Sequence, residues 1–442
     1  MKKTLIVLLI LSLFPIISYA EELSLKNALD IAMEKSPAIV SAREGVTAAD
    51  GKLGQAFGSM LPNISLSGQA GSSYTKPYDA YGIITVNSLE ETAATSNYSL
   101  TLTQPLFNGA LVPGLQLAEA GFDIAKENYK KAQYDLVYNV VSTYYGVLRA
   151  NKMNELSKDT LDMSRSHLKQ VRAMLDAGTA TRADVLRVEV QVANNEVGVM
   201  KADNGLILAK DAFNNILGRD LETDVSLNDK EIAEEIVTLK PNKDCLIMAF
   251  ENKPDWKIFK KNKQINANSK DIAWSGYLPS LAIIGSATGN RIDYPKADEM
   301  DQDVYNTAVV ASGQWALFDG LAREGRIKEA NANLAALEAN EESIRNGIVL
   351  EVKDSCLNLE SAVKMIRSAR KAVDLARENY RISRERYRTG AGSNLEMIDA
   401  QTAYSEASTN LYQVQFDYQV AKAKVNQAVG SDVYPFVKKE DK

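Results

Sequence analysis

The sequence predicts an α+β membrane protein built from a duplicated module, each copy supplying two transmembrane β-strands and a long antiparallel helical hairpin. Three observations lead there. First, landmarks recur in one order at nearly constant offsets. Leu106-Phe107-Asn108-Gly109 returns as Leu317-Phe318-Asp319-Gly320 after 211 positions, and Gly178 with Asp184-Val185-Leu186 returns as Gly390 with Glu396-Met397-Ile398 after 212. Leu217-Gly218-Arg219-Asp220 and Val429-Gly430-Ser431-Asp432 also stand 212 apart, while Pro37 and Pro62 share their spacing of 25 with Pro254 and Pro279. A period this long marks a duplicated module rather than a repeat array. Second, proline is missing between Pro113 and Pro241 and between Pro295 and Pro435, which permits very long helices. Third, short segments before those spans alternate apolar and hydroxyl side chains.

Taken in order, residues 1–20 read as a secretory signal: Lys2-Lys3, an apolar run from Leu5 to Ile17, and the small-x-small site Ser18-Tyr19-Ala20. Glu21, not a cysteine, stands directly after that site and no other long apolar run exists, so entry into a membrane would have to be as a β-barrel, which satisfies its own backbone. The remainder divides into a first repeat over 21–220, a connecting segment over 221–244, a second repeat over 245–430 and a tail over 431–442. A net charge of −6 argues against nucleic acid as a partner.

Ile64-Ser65-Leu66-Ser67 and Tyr98-Ser99-Leu100-Thr101-Leu102-Thr103 put apolar groups on one face. In the second repeat Val309, Ala311, Gly313, Trp315 and Leu317 share a face. Segments of ~9–11 residues with this dyad suit a transmembrane strand, although a water-soluble antiparallel sheet alternates in the same way. The helices add to the case. From Gly114 to Asp176, Ala118, Phe122, Ala125, Tyr129, Ala132 and Leu136 keep heptad-like spacing, and sixty-three residues would reach ~95 Å. The counterpart runs through Ala330, Leu334, Leu337, Ile344 and Ile348, interrupted by Glu341. Shorter helices at Ala38–Met60 with Thr181–Asn215, and at Asp255–Tyr277 with Ser393–Val429, match the long ones in summed length. Four strands cannot close a barrel, so the edges need further copies: two chains would give eight strands and three would give twelve.

Over nearly all of its mature length the chain resembles the TolC-type outer-membrane efflux proteins. The resemblance rests on Leu61-Pro62 and Leu278-Pro279, on Gln104-Pro105-Leu106-Phe107-Asn108-Gly109 with Leu317-Phe318-Asp319-Gly320, on the Gly178 and Gly390 turns, and on Leu217-Gly218 and Val429-Gly430. It implies a homotrimer whose twelve strands form one barrel in outer-membrane lipid of a Gram-negative bacterium, continued by an α-helical tunnel in the periplasm. The implied role is a passive exit channel in a tripartite efflux or type I secretion system. The implied partners are a periplasmic adaptor (membrane fusion) protein and an inner-membrane pump of RND, ABC or MFS type, with no cofactor. The competing reading is a coiled-coil envelope scaffold or adhesin with a barrel anchor; strand pairs interleaved with helical hairpins favour the channel.

Several residues take roles on this reading. Asn108-Gly109 and Asp319-Gly320 turn the chain from strand to helix, where positive φ and local hydrogen bonds are expected. The turns carrying Gly178-Thr179 and Gly390 with Gly392 would meet the adaptor at the periplasmic entrance. The resemblance gives Glu396 and Asp399 a pore-facing acidic role, and Asp184 and Tyr387 a part in locking the entrance. A family arginine of that lock has no counterpart, since Gly392 occupies its place. Ser393-Asn394-Leu395-Glu396 and Thr181-Arg182-Ala183-Asp184 also have capping-box spacing, so Glu396 stays open between cap and gate while Asp399, one turn on, is the stronger pore candidate.

Enzyme chemistry has little to work with. His167 is the only histidine and lies in a charged stretch, which predicts a surface residue. Cys245 and Cys356 are the only cysteines; export permits a disulfide, and a buried free thiol is the plainer reading for Cys356 inside a helix. Loops over 74–96 and 291–305 should face the exterior, the second with Asp293, Asp298, Glu299, Asp301 and Asp303 as a solvated acidic cluster.

Overall fold

A computed structural model of the chain describes residues 23–75, 91–227, 237–293 and 302–435. Element order repeats along it. The first series is α1 (Leu25–Lys35), α2 (Pro37–Gly58), β1 (Asn63–Thr75), β2 (Glu91–Phe107), α3 (Leu111–Asp176) and α4 (Arg182–Leu217). The second is α5 (Asn242–Asn252), α6 (Pro254–Ser275), β3 (Ser280–Asp293), β4 (Gln302–Gln314), α7 (Ala322–Ala339), α8 (Glu341–Arg388) and α9 (Asn394–Val429). Among the described residues no helix is long and apolar enough to cross a membrane. The chain forms two compact units, one from Glu44–Asn128 with Asp255–Ile344, the other from Met1–Arg43, Tyr129–Pro254 and Arg345–Lys442.

The first of these units holds a four-stranded antiparallel sheet in the order β1-β2-β3-β4. Its register sorts side chains by chemistry. The rows Ile64–Leu102–Gly285–Val309 and Leu66–Leu100–Ala287–Thr307 lie on one face, and Ser65–Thr101–Ser286–Ala308 and Ser67–Ser99–Thr288–Asn306 lie on the other. Both of the first two rows are left uncovered: Leu66 is 77% exposed and Val309 82%. At 13 to 17 residues the strands exceed the expected length, so much of the two expected loops is ladder. Of the acidic cluster, Asp293 ends β3 and Asp303 lies in β4, whereas Asp298, Glu299 and Asp301 lie outside the described residues.

The expected face through Trp315 and Leu317 is corrected, because β4 stops at Gln314. Side-chain hydrogen bonds hold the segment beyond it instead. Trp315 Nε1 donates to the Tyr277 carbonyl at 3.1 Å, and Arg323 Nη2 donates to the Ala316 carbonyl at 2.9 Å. The two strand-to-helix corners are likewise built differently. At the first, Asn108 Oδ1 accepts from the Ala110 N–H at 2.9 Å, and a Cβ on Gly109 would stand 2.8 Å from Leu278 Cδ1. Gly109 is thus required by close approach, with no positive φ; Gly320 has φ 71° and open space around it. There Asp319 accepts from Arg326 at 3.1 Å.

The helix α3 is continuous for 66 residues, but its counterpart lapses at Asn340 between α7 and α8, one residue from the interrupting Glu341. Lys263 reaches Glu338 and Glu341 on either side of the lapse, at 3.4 and 3.1 Å.

In the other unit Leu136, Val140, Val141, Tyr144 and Leu148 of α3 pack on Phe213 and Leu217 of α4 and on Ala28 and Ala32 of α1. The Tyr144 and Phe213 rings meet edge-on at 5.9 Å. Helices α1 and α5, absent from the sequence reading, are 11-residue pieces ended by Ser36-Pro37 and Lys253-Pro254. Those joints explain two of the recurring landmarks. Gly218 and Gly430 end α4 and α9 in the left-handed conformation, φ 68° and 71°. A Cβ on Gly218 would stand 2.7 Å from the Lys35 carbonyl oxygen, and one on Gly430 2.8 Å from Lys253 Cα. Each glycine therefore docks a long helix against a proline joint.

Candidate channel-entrance site

Two tight turns join the long helices. After α3, Gly178 adopts φ 75° and Thr179 ties back to the Met174 carbonyl through its N–H at 2.8 Å and its hydroxyl at 3.0 Å. After α8, Gly390 adopts φ 76°, and the Ala391 and Gly392 N–H groups donate to the Arg386 carbonyl at 2.8 and 3.0 Å. Arg386 returns a bond from its guanidinium to the Ala391 carbonyl at 3.1 Å. Both are left-handed helix ends of the kind glycine favours.

The helices that leave these turns are capped unequally. Thr181 and Asp184 form the full reciprocal box: Thr181 Oγ1 accepts from the Asp184 N–H at 3.2 Å, and Asp184 Oδ2 accepts from the Thr181 N–H at 3.1 Å. The Thr181 hydroxyl also donates to that carboxylate at 2.6 Å and, more than any other group, holds its pKa below the usual range. At α9 only half of the box exists. Ser393 Oγ accepts from the Glu396 N–H at 3.1 Å, while the Glu396 carboxylate turns to Arg386, 3.5 Å away. Asp399 is exposed one turn further along α9 and, among the described residues, is without a partner.

Behind the turns lies a small apolar cluster of Val171, Val185, Val188, Tyr387 and Met397. Tyr387 is buried, its hydroxyl has no hydrogen-bond partner in the structure, and burial, helped by the Asp184 charge, raises its pKa. His167 is a correction to the sequence reading: it is 3% exposed, not on the surface. Its ring meets Tyr387 edge-on at 5.0 Å, and its Nε2 pairs with Asn394 Oδ1 at 2.8 Å. Asn394 in turn donates to the Asp184 carbonyl at 3.2 Å. Residues from α3, α4, α8 and α9 are thereby gathered at one end of the hairpins.

A polar seam continues from there and was missed in the sequence. Gln401 Nε2 donates to the Thr160 carbonyl at 3.1 Å and to Ser164 Oγ at 2.7 Å, and Asn195 donates to the same Ser164 oxygen at 2.6 Å. Thr160 and Ser405 share a bond of 3.1 Å at the edge of a cleft of about 440 Å³ that Gln191, Asn195 and Glu406 also line. The signal was the spacing: Asn394, Gln401 and Ser408 are seven apart and all buried. Along this stretch hydrogen-bonded amides and hydroxyls join α3 to α9, while further along Tyr145 and Phe416 join them in the apolar core.

The sequence profile of the family described as "Outer membrane efflux protein" matches residues 28–219 and 249–431. The chain belongs to the outer membrane efflux protein family. As a member of that family it is an outer-membrane efflux or secretion channel that extends into the periplasm. It is 24% identical over 447 residues to the outer membrane protein TolC of Salmonella enteritidis, covering 98% of this chain and 87% of that protein. It is 22% identical over 320 residues to the protein CyaE of Bordetella pertussis, covering 72% and 65%. In fold it resembles the outer membrane protein VceC of Vibrio cholerae, with a TM-score of 0.76 at 16% identity over 92% of this chain and 96% of that one. CusC matches with a TM-score of 0.77 at 16% identity over 95% and 96%.

Proposed function

We propose that three copies of this efflux-family chain close their four-stranded sheets into one twelve-stranded barrel, and that their helical hairpins form a tunnel with an acidic entrance. The observation that carries the reading is the sheet itself. Among the described residues β1 and β4 each pair on one side only, and the middle rows of the sheet put apolar residues on one face and mostly hydroxyls on the other. An open edge and a bare apolar face are stable together only when further strands continue the ladder and lipid covers the face. The division into repeats over 21–220 and 245–430, linked by 221–244 and followed by the tail from 431, belongs to the same proposal.

At the entrance, Glu396 and Asp399 would give the trimer six carboxylates around one opening. Such a ring attracts cations and repels anions. Asp184 and Tyr387 would take part in keeping neighbouring hairpins together, and the turns at Gly178-Thr179 and Gly390-Gly392 would receive a periplasmic adaptor. Asn108-Gly109 and Asp319-Gly320 would sit at the periplasmic edge of the barrel. The chain has no phosphate-binding loop, so an inner-membrane pump of RND, ABC or MFS type would supply energy and specificity.

The test is planar-bilayer conductance of purified oligomer, comparing wild type with Asp399→Ala. Small cation-selective currents whose size or selectivity changes in the variant are expected. Currents of unaltered size and selectivity would remove Asp399 from the entrance, and folded oligomers without conductance even at the highest voltages would favour the scaffold reading over the channel.

A further inference from the structure

The uncovered apolar face carries aromatic rings near both of its ends. Next to the Leu66–Leu100 row, on the same face, lies the row Gly68–Tyr98–Gly289–Tyr305. Its two tyrosine rings lean together at 6.4 Å, Tyr98 filling the space that Gly289 leaves. Towards the helices, Phe107 pairs with Leu281, and both are exposed. Tyr98 and Phe107 stand nine positions apart in β2. At ~3.3 Å per residue and a tilt of ~40° they are separated by a rise of ~23 Å, close to the ~25 Å apolar band between the aromatic girdles of outer-membrane barrels.

Beside the Phe107 end is a cleft of about 650 Å³, a size within the ~300–1,000 Å³ of small-molecule sites. Val112 and Pro113 of α3, Asp271 and Trp274 of α6, and Tyr277 and Leu278 line it. Much of the lining is held in place. Leu278 lies so near Gly109 that a Cβ there would meet it at 2.8 Å. The Arg323 guanidinium stands 4.4 Å over the Tyr277 ring, whose hydroxyl donates to Glu324 at 3.1 Å. Trp274 lies 5.6 Å from that ring and is exposed, with no cation over it among the described residues. Asp271, nearly one helical turn earlier, is exposed too and makes no ion pair among the described residues. An open indole face beside an unpaired carboxylate gives an otherwise apolar cleft one place for a cation.

We propose that this cleft binds a phospholipid with a primary-amine headgroup from the inner leaflet of the outer membrane. The proposal rests on the reading of the apolar face as lipid-covered. On that reading Phe107 and Leu281 mark the level where acyl chains give way to headgroups, and the cleft continues the lipid-covered surface into the headgroup layer. Asp271 selects the headgroup. A primary ammonium brings it three N–H donors, a quaternary ammonium brings none, and an anionic headgroup is repelled. The topology argues against a further copy of the chain as the occupant. The cleft lies where β2 ends and β3 begins, and these strands already pair on both sides, whereas copies would join at β1 and β4.

The experiment is native mass spectrometry of the full-length oligomer in detergent, titrated separately with phosphatidylethanolamine, phosphatidylcholine and phosphatidylglycerol. Saturable uptake of one phosphatidylethanolamine per chain is expected, with the other two lipids bound about tenfold more weakly. Asp271→Asn should remove the preference and Trp274→Leu should weaken phosphatidylethanolamine alone, both at exposed positions that leave the oligomer intact. Equal affinities for the three lipids in wild type, no saturable uptake, or a preference that survives Asp271→Asn would overturn the proposal and leave the barrel standing. An oligomer that takes up no lipid and does not fractionate with outer membranes would overturn the lipid-covered face itself. The wild-type comparison decides even if a variant fails to assemble.

Discussion

At the scale of single residues, glycines with like backbones have unlike reasons. Gly390 and Gly430 share a left-handed φ, 76° and 71°, but a Cβ on Gly390 meets nothing while one on Gly430 runs into Lys253 and Pro254. Gly390→Ala should therefore cost about 1–2 kcal/mol from the backbone alone. Gly430→Ala should cost that and a further ~1–3 kcal/mol of overpacking at the α5–α6 joint. Thermal unfolding of the detergent-solubilised protein checks the order; equal losses at the two positions would mean that the joint yields. The recurrence of Gly218 and Gly430 was legible in the sequence, but its cause was not. What each glycine touches is the joint after Lys35 or Lys253, and those short helices gave only the isolated signals of Pro37 and Pro254.

At the scale of elements, the coil contacts near the turns depend on a buried neutral histidine. His167 was misread because the α3 stripe that it follows mixes chemistries: Leu161, Ser164, His167 and Val171 are all buried at helical spacing, and two of the four are polar. Apolar periodicity alone cannot find such a stripe. Asn394 uses its amide to donate to Asp184, so its oxygen must accept from His167 Nε2–H, which leaves Nδ1 as a buried acceptor without a partner. Burial accordingly lowers the pKa of His167 below 6.5 against a smaller opposing effect of the Asn394 bond. The titratable groups facing it are Tyr387 from α8 and, through Asn394, Asp184 from α4. The sign follows from linkage: the unfolded chain takes up the proton first, so this contribution is neutral above the ordinary histidine range and becomes destabilising as pH falls below about 6.5. Wild type should lose thermal stability between neutral and mildly acidic pH more steeply than His167→Gln, whose amide can still donate to Asn394. Parallel pH profiles for the two proteins would show that His167 does not carry the effect.

At the scale of the whole molecule, the proposed membrane barrel and an ordinary antiparallel layer make different predictions for the sheet. Alternation in the sequence allowed both. What separates them is the combination of register and exposure: the row through Leu66 and Leu100 is apolar across three strands yet uncovered, whereas the adjacent row through Ser67, Ser99 and Thr288 carries hydroxyls across the same three strands. If lipid covers the first face and water the second, a cation introduced at neighbouring positions should have opposite consequences. Leu66→Lys should cost ~2–4 kcal/mol near the bilayer centre and reduce the yield of folded, membrane-inserted oligomer. Ser67→Lys should insert normally and shift conductance towards anions, because its ammonium would face the aqueous lumen. Extraction of folded oligomer from outer membranes followed by bilayer recording distinguishes the cases. If both variants insert equally well, the exposed apolar face is covered by protein instead of lipid; if Ser67→Lys is the one that fails, the assignment of inside and outside is reversed.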